Sequence, residues 1–108
     1  MTPTERLDVW LWRARFFKTR TLAAAAIQSG SVRLVRHGSS KTAEKPALGI
    51  QVGDGICIIR GGRTRQAVVQ ALGVRRGPAA EARMLYAECG PALDEGADAP
   101  HFQATQQE

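Results

Sequence analysis

Two short apolar stripes at helical spacing, close together in the chain, constrain its fold more than any other feature. Leu7, Trp10, Leu11 and Ala14 fall at i, i+3, i+4 and i+7, one face of a helix. A second stripe of Leu22, Ala23, Ala26 and Ile27 follows, with Thr19 as a favourable N-cap and Gly30 as its C-terminal stop. The spacing predicts helices over residues 6–16 and 20–29. Thr2-Pro3-Thr4-Glu5 reads as a capping box, so the first helix could start as early as that segment. A connection as tight as the one around Phe17 and Lys18 makes a helix-turn-helix pair of the two.

After Gly30 the period changes to two. Val32 and Leu34 alternate with Arg33 and Val35, a short strand with one basic face. A polar loop is expected over residues 36–45, then a turn at Val52-Gly53-Asp54-Gly55 leading into a strand over 56–60. Gly61-Gly62 reads as a hairpin turn into a further strand over 66–72. Pro78 opens a third helix, expected to reach residue 88 with Ala82, Leu85 and Tyr86 inward. From Gly90 onward Pro, Gly, Ala, Gln and acids predominate without periodicity, the composition of a disordered tail. The fold class is therefore α+β: a helix-turn-helix pair packed on a small antiparallel sheet, plus a C-terminal helix. The 108 residues suit one domain over 1–89 and an acidic tail over 90–108.

Charge is distributed unevenly along this plan. Residues 1–50 carry +6, residues 51–88 carry +3 and residues 89–108 carry −4, within a net +5. Positive charge concentrated in the first half is the footprint of a polyanion binder. Arg13, Arg15, Lys18, Arg20 and Arg33 would share one surface if the helix pair and first strand pack together. Thr19 and the free N–H groups opening the second helix would add partial positive charge for a phosphate. Twelve of the fifteen cations are Arg. Their planar donor forks suit phosphate and can stack on bases, although GC-rich codon usage also favours Arg, so the clustering carries more weight.

Other classes are disfavoured. Cys57 and Cys89 lie far apart and outside any paired motif, so neither a disulfide framework nor a metal site is expected. No cofactor is called for. Arg6, Asp8, Arg13 and Arg15 interrupt any signal-like stretch, and the apolar run 22–27 is far short of a membrane span. The expectation is a cytoplasmic protein without a membrane partner, acting as a monomer.

Arg6-Leu7-Asp8, then Leu11, Thr19-Arg20, Ala23, Ile27, Gly30, Val32 and Val52-Gly53-Asp54 together resemble the S-four (S4) RNA-binding domain over residues 6–59. Trp10-Leu11-Trp12, followed by Ala14-Arg15-Phe16-Phe17-Lys18-Thr19-Arg20, resembles the first helix and turn of the ribosome-associated fifteen-kilodalton heat-shock protein family. Arg75-Arg76-Gly77-Pro78-Ala79, with Glu81-Ala82 and Leu85-Tyr86, resembles that family's segment after the S-four core. The resemblance implies binding to ribosomal RNA of the large ribosomal subunit, in stress-linked rescue or recycling of subunits stalled with a nascent chain and its tRNA. Peptidyl-tRNA and DNA are further candidate partners. Carried over by position, the RNA surface would use Arg6, Lys18, Thr19, Arg20, Arg33 and the loop near Arg36, with Asp8 orienting a nearby Arg or amide. Two features depart from the family. Val35-Arg36-His37-Gly38 stands where a Val-Asn-Gly turn is usual, before a loop that reads as longer. An acidic tail also stands where well-known members carry a basic extension.

The bland reading of the basic helix pair is a solvated face. Trp12 and Phe16 could stack on unpaired bases, yet helix aromatics are more often core, and Trp10 reads as core. Arg-Leu-Asp also surrounds the catalytic aspartate of some pseudouridine synthases. Here it opens the binding module itself, His37 and His101 are isolated, and no acid, base or nucleophile set is apparent. As a DNA reader the second helix would offer Gln28 and Arg20 alone to bases, a thin set. Recognition of structured RNA by shape and phosphates fits better. A purely protein-binding adaptor would show affinity indifferent to salt.

Overall fold

The computed structural model describes residues 2–89; the expected tail over 90–108 lies outside them. Glu5–Arg6 (β1) pairs antiparallel with Gly49–Ile50 (β4), and Leu7–Arg13 (α1) follows directly. The capping box therefore opens no helix. Backbone pairing claims Glu5 and Arg6 first, and Arg6, in extended conformation, becomes the N-cap of α1. Arg20–Gln28 (α2) begins as the sequence predicts, with Thr19 Oγ1 accepting the Leu22 N–H at 3.0 Å. The connection between α1 and α2 is longer than expected, because α1 stops at Arg13.

Both helices end in Schellman turns. At α2, Ser31 N–H donates to Ala26 O and Gly30 N–H to Ile27 O, with Gly30 at φ +84°. At α1, Phe16 N–H donates to Leu11 O and Arg15 N–H to Trp12 O, so the left-handed position is held by Arg15, at φ +64°. Glycine takes that position without steric cost, whereas an L side chain there costs roughly 1–2 kcal/mol.

Five strands form one antiparallel sheet in the order β3-β2-β5-β6-β7. They are Ser39–Thr42 (β3), Val32–Arg36 (β2), Gly55–Arg60 (β5), Arg63–Val69 (β6) and Tyr86–Cys89 (β7). β3 replaces the long polar loop expected over 36–45. His37 at φ +53° and Gly38 at φ +78° make a tight two-residue hairpin turn of the type I′ class between β2 and β3. Gly61 and Gly62, at φ +55° and +79°, make the same kind of turn between β5 and β6. The third helix is also shorter than expected. Ala79–Ala82 (α3) gives way to a 3₁₀ turn at Arg83–Leu85, and residues 86–89 leave helix altogether to pair with β6.

The helix pair covers one face of the sheet. Leu7, Trp10, Leu11, Ala23 and Ile27 pack on Val32, Leu34, Ile56, Ile58, Ala67 and Val69, all buried. Trp10 is wholly buried and its indole N–H reaches Ala71 O at 2.9 Å. Leu22, expected in the core stripe of α2, is instead 51% exposed. The segment after β6 returns to α1 through arginines that donate to carbonyls: Arg13 to Gly73 O, Arg76 to Trp12 O and Arg15 to Gly77 O. No described helix is long and apolar enough to cross a membrane.

Candidate nucleic-acid interface

Three of the candidate cations, Arg6, Lys18 and Arg20, gather at the start of α2. Asp8, in the first turn of α1, is only 4% exposed. Its carboxylate accepts from Arg6 Nε and Nη2, both at 3.1 Å, and lies 3.9 Å from Arg20 Nη2. Both arginine side chains keep half their surface in solvent. Asp8 thus stands beside arginines, as the sequence suggested. Bonding to this carboxylate holds the Arg6 guanidinium even more firmly protonated than usual. Lys18 is exposed just before the Thr19 cap. Thr19 satisfies Leu22 N–H, and the remaining N–H groups of the first turn leave partial positive charge directed outward.

The other candidates do not join this cluster, so the single surface expected for Arg13, Arg15, Lys18, Arg20 and Arg33 is divided. Arg13 turns inward: its side chain is 18% exposed and Nη1 donates to Glu5 at 2.8 Å and to Gly73 O at 3.0 Å. Arg15 is exposed but leans toward Gly77 O at 2.8 Å through Nε. Arg33 alternates with the core residues Val32 and Leu34, which sends it to the sheet face away from the helices. There it donates to Ser40 Oγ and Thr42 Oγ1, both at 3.2 Å. Arg36 grips Asp54 through Nε at 2.9 Å and Nη2 at 2.6 Å, and also reaches Gly49 O. Asp54 is 2% exposed, and this bonding raises the pKa of Arg36.

Of the aromatic candidates, Phe16 is buried beside Trp10 and Tyr86 with the Arg65 guanidinium 4.5 Å from its ring. That leaves no face for a base. Trp12 is half-buried, with Arg76 6.0 Å from its ring centroid. Cys57 lies across from Arg33 in the β2–β5 register, and burial pushes its thiol up more than Arg33 draws it down, so it is a poor nucleophile. No group of three His, Cys, Asp or Glu side chains suited to a metal occurs among the described residues.

Sequence reasoning passed over Arg60. Its Nη1 donates to Phe16 O at 3.1 Å and its guanidinium lies 4.8 Å from the Phe17 ring, so the β5–β6 hairpin abuts the α1–α2 connection. The signal available was a Gly-Gly turn flanked on both sides by arginine.

The S4 domain family matches residues 5–34. Heat shock protein 15 of Escherichia coli (strain K12) is 36% identical over 89 residues, 82% of this chain and 63% of its own length. The chain thus spans less than two thirds of that relative. The heat shock protein 15 homolog of Aeromonas salmonicida is 35% identical over 97 residues, 90% of this chain and 70% of its own. A solved structure described as trimeric Vibrio cholerae heat shock protein 15 superposes with a TM-score of 0.72 at 31% identity. The match covers 86% of this chain and 89% of that one. Shared sequence and shared fold over most of the described residues agree: the chain belongs to the heat shock protein 15 family.

Proposed function

We propose that the chain binds structured RNA through the start of α2, docking on ribosomal RNA of the large subunit. Its role there is stress-linked rescue or recycling of subunits stalled with nascent chain-tRNA. The observation that carries the reading is the pair Arg6 and Arg20, both half-exposed and both against buried Asp8. A fixed carboxylate beneath two guanidiniums orients their free N–H groups before any ligand arrives, so little side-chain entropy is lost on binding. Lys18 and the α2 N-terminus supply further positive potential beside them. Membership of the heat shock protein 15 family and the S4 match support RNA as the polyanion. In this reading the protein is not an enzyme: it positions RNA and carries out no bond chemistry. His37 sits at an exposed hairpin turn with no acid, base or nucleophile bonded to it among the described residues.

Co-sedimentation with separated ribosomal subunits, with and without peptidyl-tRNA, tests the reading. Three neutralised phosphates predict that a fourfold rise in salt weakens binding by about twentyfold or more. Salt-sensitive pelleting with large subunits, strengthened by peptidyl-tRNA and lost in Arg20→Ala, is expected. Pelleting with neither subunit while free DNA or RNA binds would reduce the claim to a general nucleic-acid module, and salt-indifferent binding would refute it. The same reading takes the acting species as a monomer. The Vibrio cholerae relative is trimeric, so light scattering, by giving one chain or three per particle, decides that point.

A further inference from the structure

We propose that the tip of the β5–β6 hairpin, Arg60-Gly61-Gly62-Arg63, is a second phosphodiester-binding element outside the S4-matched residues, contacting the RNA backbone beside Lys18; this rests on the RNA-binding reading above. In the β5–β6 register Arg60 lies directly opposite Arg63. Like charges facing each other across a strand pair destabilise it, and neither guanidinium has a carboxylate partner among the described residues. Arg65, two residues further on, contrasts with them: it is paired with Glu88 at 2.9 and 3.1 Å and lies over Phe16. Arg65 serves the fold, whereas the charge at the tip is left uncompensated.

The turn between them is bare. A Cβ added at Gly61 or Gly62 would meet nothing within 4 Å, so the backbone is open to a close-approaching phosphate. A type I′ turn requires positive φ at both positions but accepts Asn at the first, and Gly61 leaves the approach clear of any side chain. Arg-Gly-Gly segments that bind single-stranded nucleic acid combine the same cations with the same lack of obstruction. Here the unit is held in place. Arg60 Nη1 is fixed on Phe16 O and its guanidinium carbon lies over the Phe17 ring, while its Nε and Nη2 remain free among the described residues. Phe17 directly precedes Lys18, so the hairpin tip and the start of α2 flank the same short connection. A backbone that meets Lys18 and Arg20 is therefore within reach of the tip.

The experiment is fluorescence anisotropy of a labelled RNA stem-loop over a salt series with the full chain, Arg20→Ala, Arg63→Gln, Arg63→Glu and Arg65→Gln. The Arg63 side chain has no hydrogen bond or ion pair among the described residues, and unchanged thermal melting of its variants checks their folding. Loss of one phosphate contact should lower the slope of log affinity against log salt by about one. Arg63→Gln is expected to do so, Arg63→Glu to weaken binding further, and Arg65→Gln to leave the slope alone. Full affinity in both Arg63 variants with loss in Arg20→Ala would overturn the tip and leave the RNA reading standing. Equal losses in Arg63→Gln and Arg65→Gln would make the effect one of bulk charge and also overturn it. No binding by the unaltered chain would defeat both.

Discussion

Arginine does two different kinds of work in this chain, and partner geometry separates them. Arg36 illustrates the first. With two N–H groups on a carboxylate that is 2% exposed and a third bond to Gly49 O, it ties the end of β2 to the turn before β5. Asp54 also accepts Gln51 N–H at 2.9 Å, closing that turn. Removing the carboxylate leaves a guanidinium about two-thirds buried without its partner. Asp54→Ala should therefore cost about 2 kcal/mol, less than for a fully buried pair because Arg36 keeps some solvent. Urea unfolding checks this, and a loss under 0.5 kcal/mol would reassign the pair to the surface class. Arg15 illustrates the second kind. It occupies a left-handed position that glycine would take more cheaply, so its side chain compensates for a local cost. Arg15→Gly should change stability by less than about 1 kcal/mol in urea unfolding, as relieved strain offsets the lost bond to Gly77 O. A fall of several kcal/mol would mean that the bond to Gly77 O outweighs the strain at this position.

Among elements, those whose signals are local were readable and those decided by partners were not. Thr19 and Gly30 frame α2 in the sequence as they do in the structure, because a cap and a C-terminal glycine act within one turn. β3 gave no signal: Ser39, Ser40, Lys41 and Thr42 form an exposed edge strand, where polarity hides the pairing. β7 was misread because Ala82, Leu85 and Tyr86 fall at helical spacing, while β6 offered an open edge that takes residues 86–89 as a strand. The capping box ahead of α1 was overridden in the same way, by the β1–β4 ladder, although α1 itself starts within one residue of its expected place. The candidate site was readable as residue types, with Asp8 expected beside an arginine and found against Arg6 and Arg20. The alternation that sends Arg33 to the opposite face was legible in β2, whereas the clamp around Arg13 and Arg15 depends on return contacts that no local pattern encodes. The β2–β3 turn carries its own test. His37 holds a left-handed conformation in a turn that favours Asn-Gly, so His37→Asn should stabilise the protein by roughly 0.5 kcal/mol in chemical denaturation. A destabilised variant would mean that the imidazole makes a contact of its own.

At the scale of the molecule, α1 is locked between two parts of the chain far apart in sequence. Trp10, Arg13, Arg15 and Arg76 join it to the segment 71–77, which itself leads into α3 and β7. Helices and sheet should consequently unfold as one unit, with tryptophan fluorescence and far-ultraviolet circular dichroism giving coincident urea transitions. An early fluorescence transition would show that the helix pair separates before the sheet. The acceptors in this joint are mostly backbone carbonyls, which neither titrate nor carry a net charge. Ions at moderate strength screen attraction between separate charges, and such charges are what would hold a polyanion at Arg6, Lys18 and Arg20. The internal joint relies on short, directional bonds to neutral oxygen instead. Ionic conditions strong enough to strip a polyanion from that cluster would therefore leave this joint in place.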